Sequence, residues 1–378
     1  MSFVSKIKNG RLFIKCLGYS LFRQSPKKTP PDIRSVIVAP LAQLGDMVCT
    51  TPLFRALKKN KPSWHLSVLG KPNYKELLAN NVDVDEYVNS GDPDHVIKIL
   101  RNKTYDVGLL TMPSFGGLAI LYLAGVKMII APKVTGGFSP QQTLLYRLLH
   151  RLVVSVEYQY DRYVPRELLK LLEPLGILSH TTKKYLGYSS EASQWADQLI
   201  QEKVKPEKLI IGLSVSSGNK IKNWGSEKFA RLSEYLYKKY EANIVLISSR
   251  VDKEEVSGFF KELDSDVPVL SVSDITLDQL KALIAKFSMF VGVDTGPIYI
   301  AEAFNIPTVD IIGPVSEKEQ PPVGPLNRIV YLKNRKSAPV HIFNARIFDN
   351  EEARRQSQEI SFEMVASEID SLIPMLIK

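Results

Sequence analysis

Along this 378-residue chain, short β-branched apolar runs alternate with longer stretches of helical period. Ser35-Val-Ile-Val-Ala39, Leu66-Ser-Val-Leu69, Tyr105 to Thr111 and Met128-Ile-Ile130 read as buried strands, with helices near 51–60, 73–80 and 93–102 between them. The rhythm breaks over 138–176. There Leu144, Leu145, Leu148, Leu149, Leu152 and Val153 form a helical stripe among Arg147, His150 and Arg151, and Tyr158, Tyr160, Arg162, Tyr163 and Arg166 follow. It resumes after Lys205-Pro206, with strands at 209–215, 243–248, 289–293 and 306–313 and helices at 226–240, 253–263 and 298–305. Ser361 to Ile377 opens on a serine, carries Glu363 in its first turn and reads as a terminal helix. Such alternation predicts an α/β chain of two Rossmann-like domains, each a parallel sheet covered on both faces, facing a central cleft. Ligands then bind at the carboxyl ends of the strands. The expected division is a leader over 1–31, domains over 32–190 and 191–360, and a helix over 361–378 able to pack back on the N-terminal domain.

Composition changes this picture little. With 44% hydrophobic and 24% charged residues the chain is an ordinary globular protein, and no stretch approaches the roughly 18 apolar residues of a spanning helix. Cys16 and Cys49 stand far apart and the five histidines are scattered, which predicts neither a disulfide framework nor a zinc site. A metal-free enzyme of the reducing cytoplasm is the expectation. Charge matters more. The net +9 is concentrated at the start, where Lys6, Lys8, Arg11, Lys15, Arg23, Lys27 and Lys28 come without one acid among the first 31 residues. Apolar residues interleave with them. Two readings stand: a basic amphipathic helix on an anionic membrane surface, or a solvated leader. No nucleic-acid motif accompanies the charge.

Three loops carry candidate chemistry. The first strand runs into Gln43-Leu-Gly45-Asp46, which has one glycine where a dinucleotide fold needs GxGxxG. Asp46 reads either as a helix cap or as a carboxylate able to take a proton from an acceptor hydroxyl. Ser216-Ser217-Gly-Asn-Lys-Ile-Lys222-Asn-Trp224 offers small residues that let backbone N–H groups approach a phosphate, with Lys222 as the compensating charge. Val293-Asp294-Thr295-Gly296-Pro297 takes a strand straight into a helix, whose first-turn N–H groups and dipole make a diphosphate site or a plain capping turn. The triplets Asp83/Asp85, Asp92/Asp94 and Asp264/Asp266 match a metal-binding Asp-x-Asp pattern, but three copies in unlike contexts weigh against it.

Taken in order and spacing, these residues resemble glycosyltransferase family 9, the ADP-heptose:lipopolysaccharide heptosyltransferases, from about residue 34 onward. The marks are Leu44-Gly45-Asp46-Met47-Val48 with Thr51-Pro52-Leu53-Phe54-Arg55-Ala56-Leu57-Lys58, the stretch Asn81 to Val88, Lys222-Asn223-Trp224, Val293 to Pro297 with Ala301-Glu302-Ala303, and Gly313-Pro314 with Gly324-Pro325. The resemblance implies a GT-B fold with an acceptor-binding N-terminal domain and a nucleotide-sugar-binding C-terminal one. It implies inverting, metal-independent transfer of a heptose from ADP-heptose to a lipid-linked, lipopolysaccharide-type acceptor at the inner face of the cytoplasmic membrane. Carried over, Asp46 is the general base and Lys222 neutralises the departing diphosphate. Asp294, Thr295 and Gly296 hold the donor, with Ser216, Ser217 and Tyr299 beside it. Asp252 or Glu254 meets the ribose, and Gly45, Arg147, Arg151 and Arg162 face the acceptor. No cofactor and no metal enter.

The chain departs from the family in three places. Many members have histidine where Tyr299 stands, the loop Ser248-Ser-Arg-Val-Asp252 lacks the usual glycines, and residues 337–358 hold no cysteine. A transferase or epimerase using a UDP- or GDP-hexose is the rival enzyme, and a non-catalytic membrane-peripheral relative is the rival from another class.

Overall fold

Two six-stranded parallel sheets organise the chain, one in each of the units Met1–Tyr185 and Leu186–Lys378. The computed structural model describes residues 3–23, 26–40, 43–136, 139–205, 207–335 and 349–377. The first sheet contains β1 (Ser35–Ala39), β2 (His65–Gly70), β3 (Glu86–Asn89), β4 (Val107–Leu110), β5 (Met128–Gly136) and β6 (Val154–Gln159), in the order β3-β2-β1-β4-β5-β6. From β1 the chain steps outward through β2 to β3, then returns to lay β4, β5 and β6 on the other side. That reversal leaves a switch point between β1 and β4, where the helices leave opposite faces and a crevice opens at the strand ends. Helices α1 (Phe3–Ser20), α2 (Leu44–Asn60), α3 (Lys75–Leu78), α4 (Pro93–Lys103), α5 (Phe115–Leu123), α6 (Leu144–His150) and α7 (Val164–Leu169) complete this unit.

The second unit repeats the plan with β7 (Ile210–Ser214), β8 (Asn243–Ile247), β9 (Val269–Val272), β10 (Met289–Val293), β11 (Thr308–Ile311) and β12 (Asn327–Val330), ordered β12-β11-β10-β7-β8-β9. Its switch point falls between β7 and β10, which pair directly from Met289 opposite Ile211 to Gly292 opposite Ser214. Its helices are α8 (Ser190–Lys203), α9 (Ser226–Tyr240), α10 (Lys253–Glu262), α11 (Leu277–Ile284), α12 (Gly296–Ala303), α13 (Asn350–Gln358) and α14 (Phe362–Leu376). Central strands are apolar throughout because helices cover both faces; Val36, Ile37 and Val38 in β1 and Met289, Phe290 and Val291 in β10 are wholly buried.

Three expectations are revised. The leader is not a solvated segment: α1 packs on α5, and Leu12 and Cys16 belong to the first core, 6% and 2% exposed. Burial pushes the Cys16 thiol up to about 12 against the opposing pull of Arg23, so this cysteine is packing material rather than a nucleophile. The terminal helix α14 is not a separate element but belongs to the second unit. Its Val365, Ile369, Leu372 and Ile373 are buried in the second core, against α9, β11 and β12. Helix α2 begins seven residues before the expected 51, which puts Gly45 and Asp46 in a first helical turn instead of a loop. Most of the cysteine-free stretch 337–358 lies outside the described residues, and the rest of it carries α13.

Candidate active site

In the second unit the loops that follow β7 and β10 meet at the switch point. The first passes through Ser216 and Ser217 into a short 3-10 turn, Lys220–Lys222. The second is Asp294-Thr295, followed at once by α12. Lys222 is buried, and its Nζ donates to the Asp294 carboxylate Oδ2 at 2.8 Å and to the Asp294 carbonyl oxygen. One cation therefore bridges two loops 72 residues apart in sequence. The other carboxylate oxygen of Asp294 accepts from the hydroxyl of Tyr299, which α12 presents one turn on and which is itself buried. Thr295 is the N-cap residue of α12, extended at φ −156°, and Pro297 occupies the first turn, where a missing N–H costs nothing. The helix opens on Gly296 beside this Lys–Asp–Tyr cluster. Its positive end lies next to the Lys222 ammonium, which is ion-paired with Asp294, an arrangement able to take phosphate oxygens.

The Lys-Asn-Trp run divides its labour. Asn223 Oδ1 accepts from the Ser217 N–H at 3.0 Å and its Nδ2 donates to Glu255 at 3.1 Å, which pins the small-residue loop to α10. Trp224 is core: its indole N–H donates to the Ile360 carbonyl at 2.7 Å, and its ring stands edge-on to Phe229 at 4.9 Å. Asp252 holds the same loop from beneath. It accepts from the Ser216 hydroxyl, from the Ser249 N–H at 2.8 Å and from the Ser249 hydroxyl at 2.5 Å, with Lys220 Nζ at 3.4 Å. Burial alone would raise the Asp252 carboxyl, but the serine donors and Lys220 outweigh it and hold it below the usual carboxylate range. Of the two acids expected to meet a ribose, Asp252 thus has its carboxylate committed inside the protein, whereas Glu254 is exposed in the first turn of α10. Lys220 and Glu255, joined at 2.6 Å, are parts of this scaffold that the sequence did not reveal, because their pairing spans 35 residues and follows no motif.

In the first unit, Asp46 sits at the switch point of its own sheet, half-buried in the opening turn of α2. Its Oδ2 accepts from the Gln43 N–H at 3.0 Å, so the cap reading is realised in part: Gln43 occupies the N-cap position and Asp46 satisfies its backbone from the third helical residue. Gln43 Oε1 in turn accepts from Tyr74 at 3.0 Å and Lys71 at 3.2 Å, two residues of the loop after β2 that the sequence did not single out. Burial, and next the Asp46 charge, push the Tyr74 hydroxyl up and keep it protonated. The basic residues expected to face the acceptor do not gather around Asp46. Arg162 follows β6 on the same strand-end margin, three strands from β1, or roughly 14 Å at ~4.8 Å per strand. Arg147 is exposed on α6. Arg151 immediately precedes the segment entering β6 and so lies towards the amino-terminal margin of the sheet.

The Asp-x-Asp triplets are structural. Asp83 pairs with Arg55, Asp85 with Lys58, and Asp94 with Lys15 and Arg11. Asp92 caps α4, and Asp264 accepts from the Asp266 N–H and pairs with Lys238. Among the described residues, no three His, Cys, Asp or Glu are grouped to hold a metal ion.

Against known proteins, the profile of glycosyltransferase family 9 (heptosyltransferase) matches residues 95–345, about two thirds of the chain. The chain belongs to that family. The matched span takes in Lys222, Asp294 and Tyr299 and begins after Asp46. Lipopolysaccharide heptosyltransferase 3 of Escherichia coli is 24% identical over 285 residues, 71% of this chain and 80% of that protein. Lipopolysaccharide heptosyltransferase 2 of the K12 strain is 23% identical over 323 residues, 79% and 88% of the two chains. In fold, this glycosyltransferase is similar to the E. coli ADP-heptose heptosyltransferase II, with a TM-score of 0.73 at 19% identity over 92% of this chain and 100% of that one. The family 9 glycosyltransferase of Veillonella parvula gives 0.76 at 16% identity, over 92% and 99%. The architecture is therefore α/β of the GT-B type.

Proposed function

We propose that this glycosyltransferase moves a heptose from ADP-heptose to a lipopolysaccharide-type, lipid-linked glycan at the inner face of the cytoplasmic membrane, with inversion and without a metal. The observation that carries the reading is the Lys222–Asp294–Tyr299 cluster at the opening of α12, with Lys222 and Tyr299 buried, a cation and a helix N-terminus fixed at one switch point. A nucleotide diphosphate is a leaving group whose developing charge needs just those two partners. In support, an E. coli heptosyltransferase of the same fold carries ADP-2-deoxy-2-fluoro heptose, at a TM-score of 0.65 and 13% identity.

In the proposed step an acceptor hydroxyl attacks the anomeric carbon of the heptose. Asp46 takes the hydroxyl proton as the new C–O bond forms, and the bond from the anomeric carbon to the diphosphate oxygen breaks. The electron pair departs with ADP, whose phosphates meet Lys222 and the first-turn amides of α12. A single displacement inverts the anomeric centre. Ser216 and Ser217 offer their backbone to the phosphates, Thr295 and Gly296 lie against the sugar, and Glu254 meets the ribose. Gly45 and the exposed Arg147 and Arg162 serve the acceptor. Tyr299 supplies a hydroxyl where many family members have a histidine, so it orients Asp294 without adding charge.

Nucleotide release followed over a panel of ADP-heptose, UDP-hexoses and GDP-hexoses tests the donor directly. Turnover with ADP-heptose alone is expected. Turnover only with a hexose donor would replace the heptosyl reading by its rival.

A further inference from the structure

Helix α1 presents two unlike faces. The inner face is bolted to the first unit: Leu12 and Cys16 enter its core, Phe13 lies 6.2 Å from Phe115, and Tyr19 meets Tyr122 edge-on at 5.9 Å. Just past the helix, Arg23 stacks 4.4 Å above Tyr122 and donates to the carbonyls of Tyr122 and Val126. The opposite face is apolar and open. Ile14 and Leu17 on the helix, and Leu21 and Phe22 in the turn just past it, are 70%, 53%, 79% and 88% exposed. Alongside, α1 and α4 enclose a groove of about 650 Å³ lined by Tyr19, Phe22, Ile97 and Leu123, with Lys98 and Arg101 on its rim.

Charge selects the occupant. Residues 3–28 hold seven lysines and arginines and no acid. Asp94, the acid lining the groove, already takes Arg11 and Lys15, while Lys27, Lys28, Lys98 and Arg101 stand exposed. A second copy of this chain would bring the same positive charge to the same face and be repelled. A neutral partner would leave the basic rim uncompensated. A sheet of anionic lipid headgroups satisfies the rim and accepts the apolar residues between them.

We infer that α1 is a fixed membrane-docking element, with Ile14, Leu17, Leu21 and Phe22 entering the interfacial layer of an anionic bilayer and a lipid phosphate seated over Lys98 and Arg101. The inference deepens the lipid-linked acceptor reading and rests on it for its purpose, since a helix bolted to the acceptor unit holds that unit at a set angle to the surface. Its chemistry can be tested without transfer. Full-length protein is sedimented with vesicles of phosphatidylcholine alone, or with a third of phosphatidylglycerol added. The wild type is expected to partition onto the anionic vesicles at least ~10-fold better, and to be released near 1 M salt, where the Debye length falls to ~3 Å. The exposed-face variant Leu17→Ser/Leu21→Ser/Phe22→Ser and the rim variant Lys98→Glu are each expected to lose ~10-fold of that partition or more. Both should retain the thermal stability and turnover of the wild type on a soluble acceptor fragment. Equal binding to both vesicle types would overturn the inference, as would a wild type that stays in the supernatant. So would a wild-type dimer that the serine variant converts to monomer while its vesicle binding persists. Vesicle binding without any sugar transfer would instead sink the functional reading and leave this one intact.

Discussion

The two units solve one topological problem in different ways. Each has a switch point beside its leading strand and a helix starting there, and each puts a carboxylate in the crevice. In the second unit that carboxylate, Asp294, is locked by tertiary partners, Lys222 from the other loop and Tyr299 from the helix it precedes. In the first unit Asp46 takes part in a local cap, accepting from the Gln43 N–H three residues back. A site proposed to hold a diphosphate leaving group needs its cation fixed before the ligand arrives, and these tertiary contacts do that. A site proposed to accept a proton and then release it is served by a carboxylate positioned in the opening turn of a helix. Preorganisation by tertiary contacts on the one side and positioning by a helix cap on the other suit the two proposed tasks.

That contrast makes unequal demands on the two acids. Asp46→Asn keeps the shape and an acceptor oxygen, so α2 should lose no more than the ~0.5–2 kcal/mol of a weakened cap. Transfer should nonetheless fall ~10²–10⁴-fold, the scale of a general base, with donor affinity by calorimetry unchanged. Full turnover would return Asp46 to a purely capping role. Lys222→Met should show the opposite pairing of effects. Loss of the cation should cut kcat ~10²–10³-fold. Leaving Asp294 without its buried partner should also cost roughly 3–5 kcal/mol, visible as an early melt of the second unit. Equal destabilisation by the two substitutions would erase the distinction drawn between them.

How much of this was legible beforehand depended on burial and on sequence distance. Central strands such as Ser35–Ala39 and Met289–Val293 declare themselves because both faces are covered and every position is apolar. The strands that sequence reasoning passed over, β3, β6, β9 and β12, are the four sheet edges. Their positions mix buried and exposed sites, so Val154-Ser-Val-Glu-Tyr-Gln159 reads as loop. In the site, Asp46, Lys222 and Asp294 were visible through local motifs. The partners that make them a site were not. Tyr299 was marked as a departure from the family pattern beside the donor and Asn223 as part of a motif, but their partners were not foreseen, and Glu255 was not singled out. Asp252, offered with Glu254 as the acid that meets a ribose, also braces its loop through Ser216 and Ser249, which no motif announced. Such roles arise when distant segments are brought together, and periodicity does not encode that.

Tyr299 offers a finer cut at the donor side. Tyr299→Phe deletes one hydroxyl and leaves a ring of nearly the same volume in a buried slot, so packing is conserved. One hydrogen bond to a charged acceptor is worth ~1.5–3 kcal/mol. Part of it is recovered by Lys222, and a fall of about 10-fold in kcat/KM is expected. The weight should fall on KM for the donor if Tyr299 acts by orienting Asp294. An unaltered donor KM would mean that Lys222 alone fixes the carboxylate.

The smallest effect concerns the brace and is read in stability, not rate. The Asp252 carboxyl is depressed in the folded protein, so its contribution is fully present above the unfolded value near ~3.9 and is lost as pH falls through the lower folded value. Replacing it by asparagine removes the charge that Ser216, Ser249 and Lys220 surround, while leaving an oxygen that still accepts from some of them. Asp252→Asn should therefore lower the urea-unfolding free energy by about 1–3 kcal/mol at neutral pH. The gap to wild type should narrow steadily as the buffer is taken from pH 5 towards pH 3, because the wild type loses what the variant never had. A gap constant over that range would mean that the serine contacts stabilise the loop by shape alone, and that the preorganised charge of the second unit ends at Lys222 and Asp294.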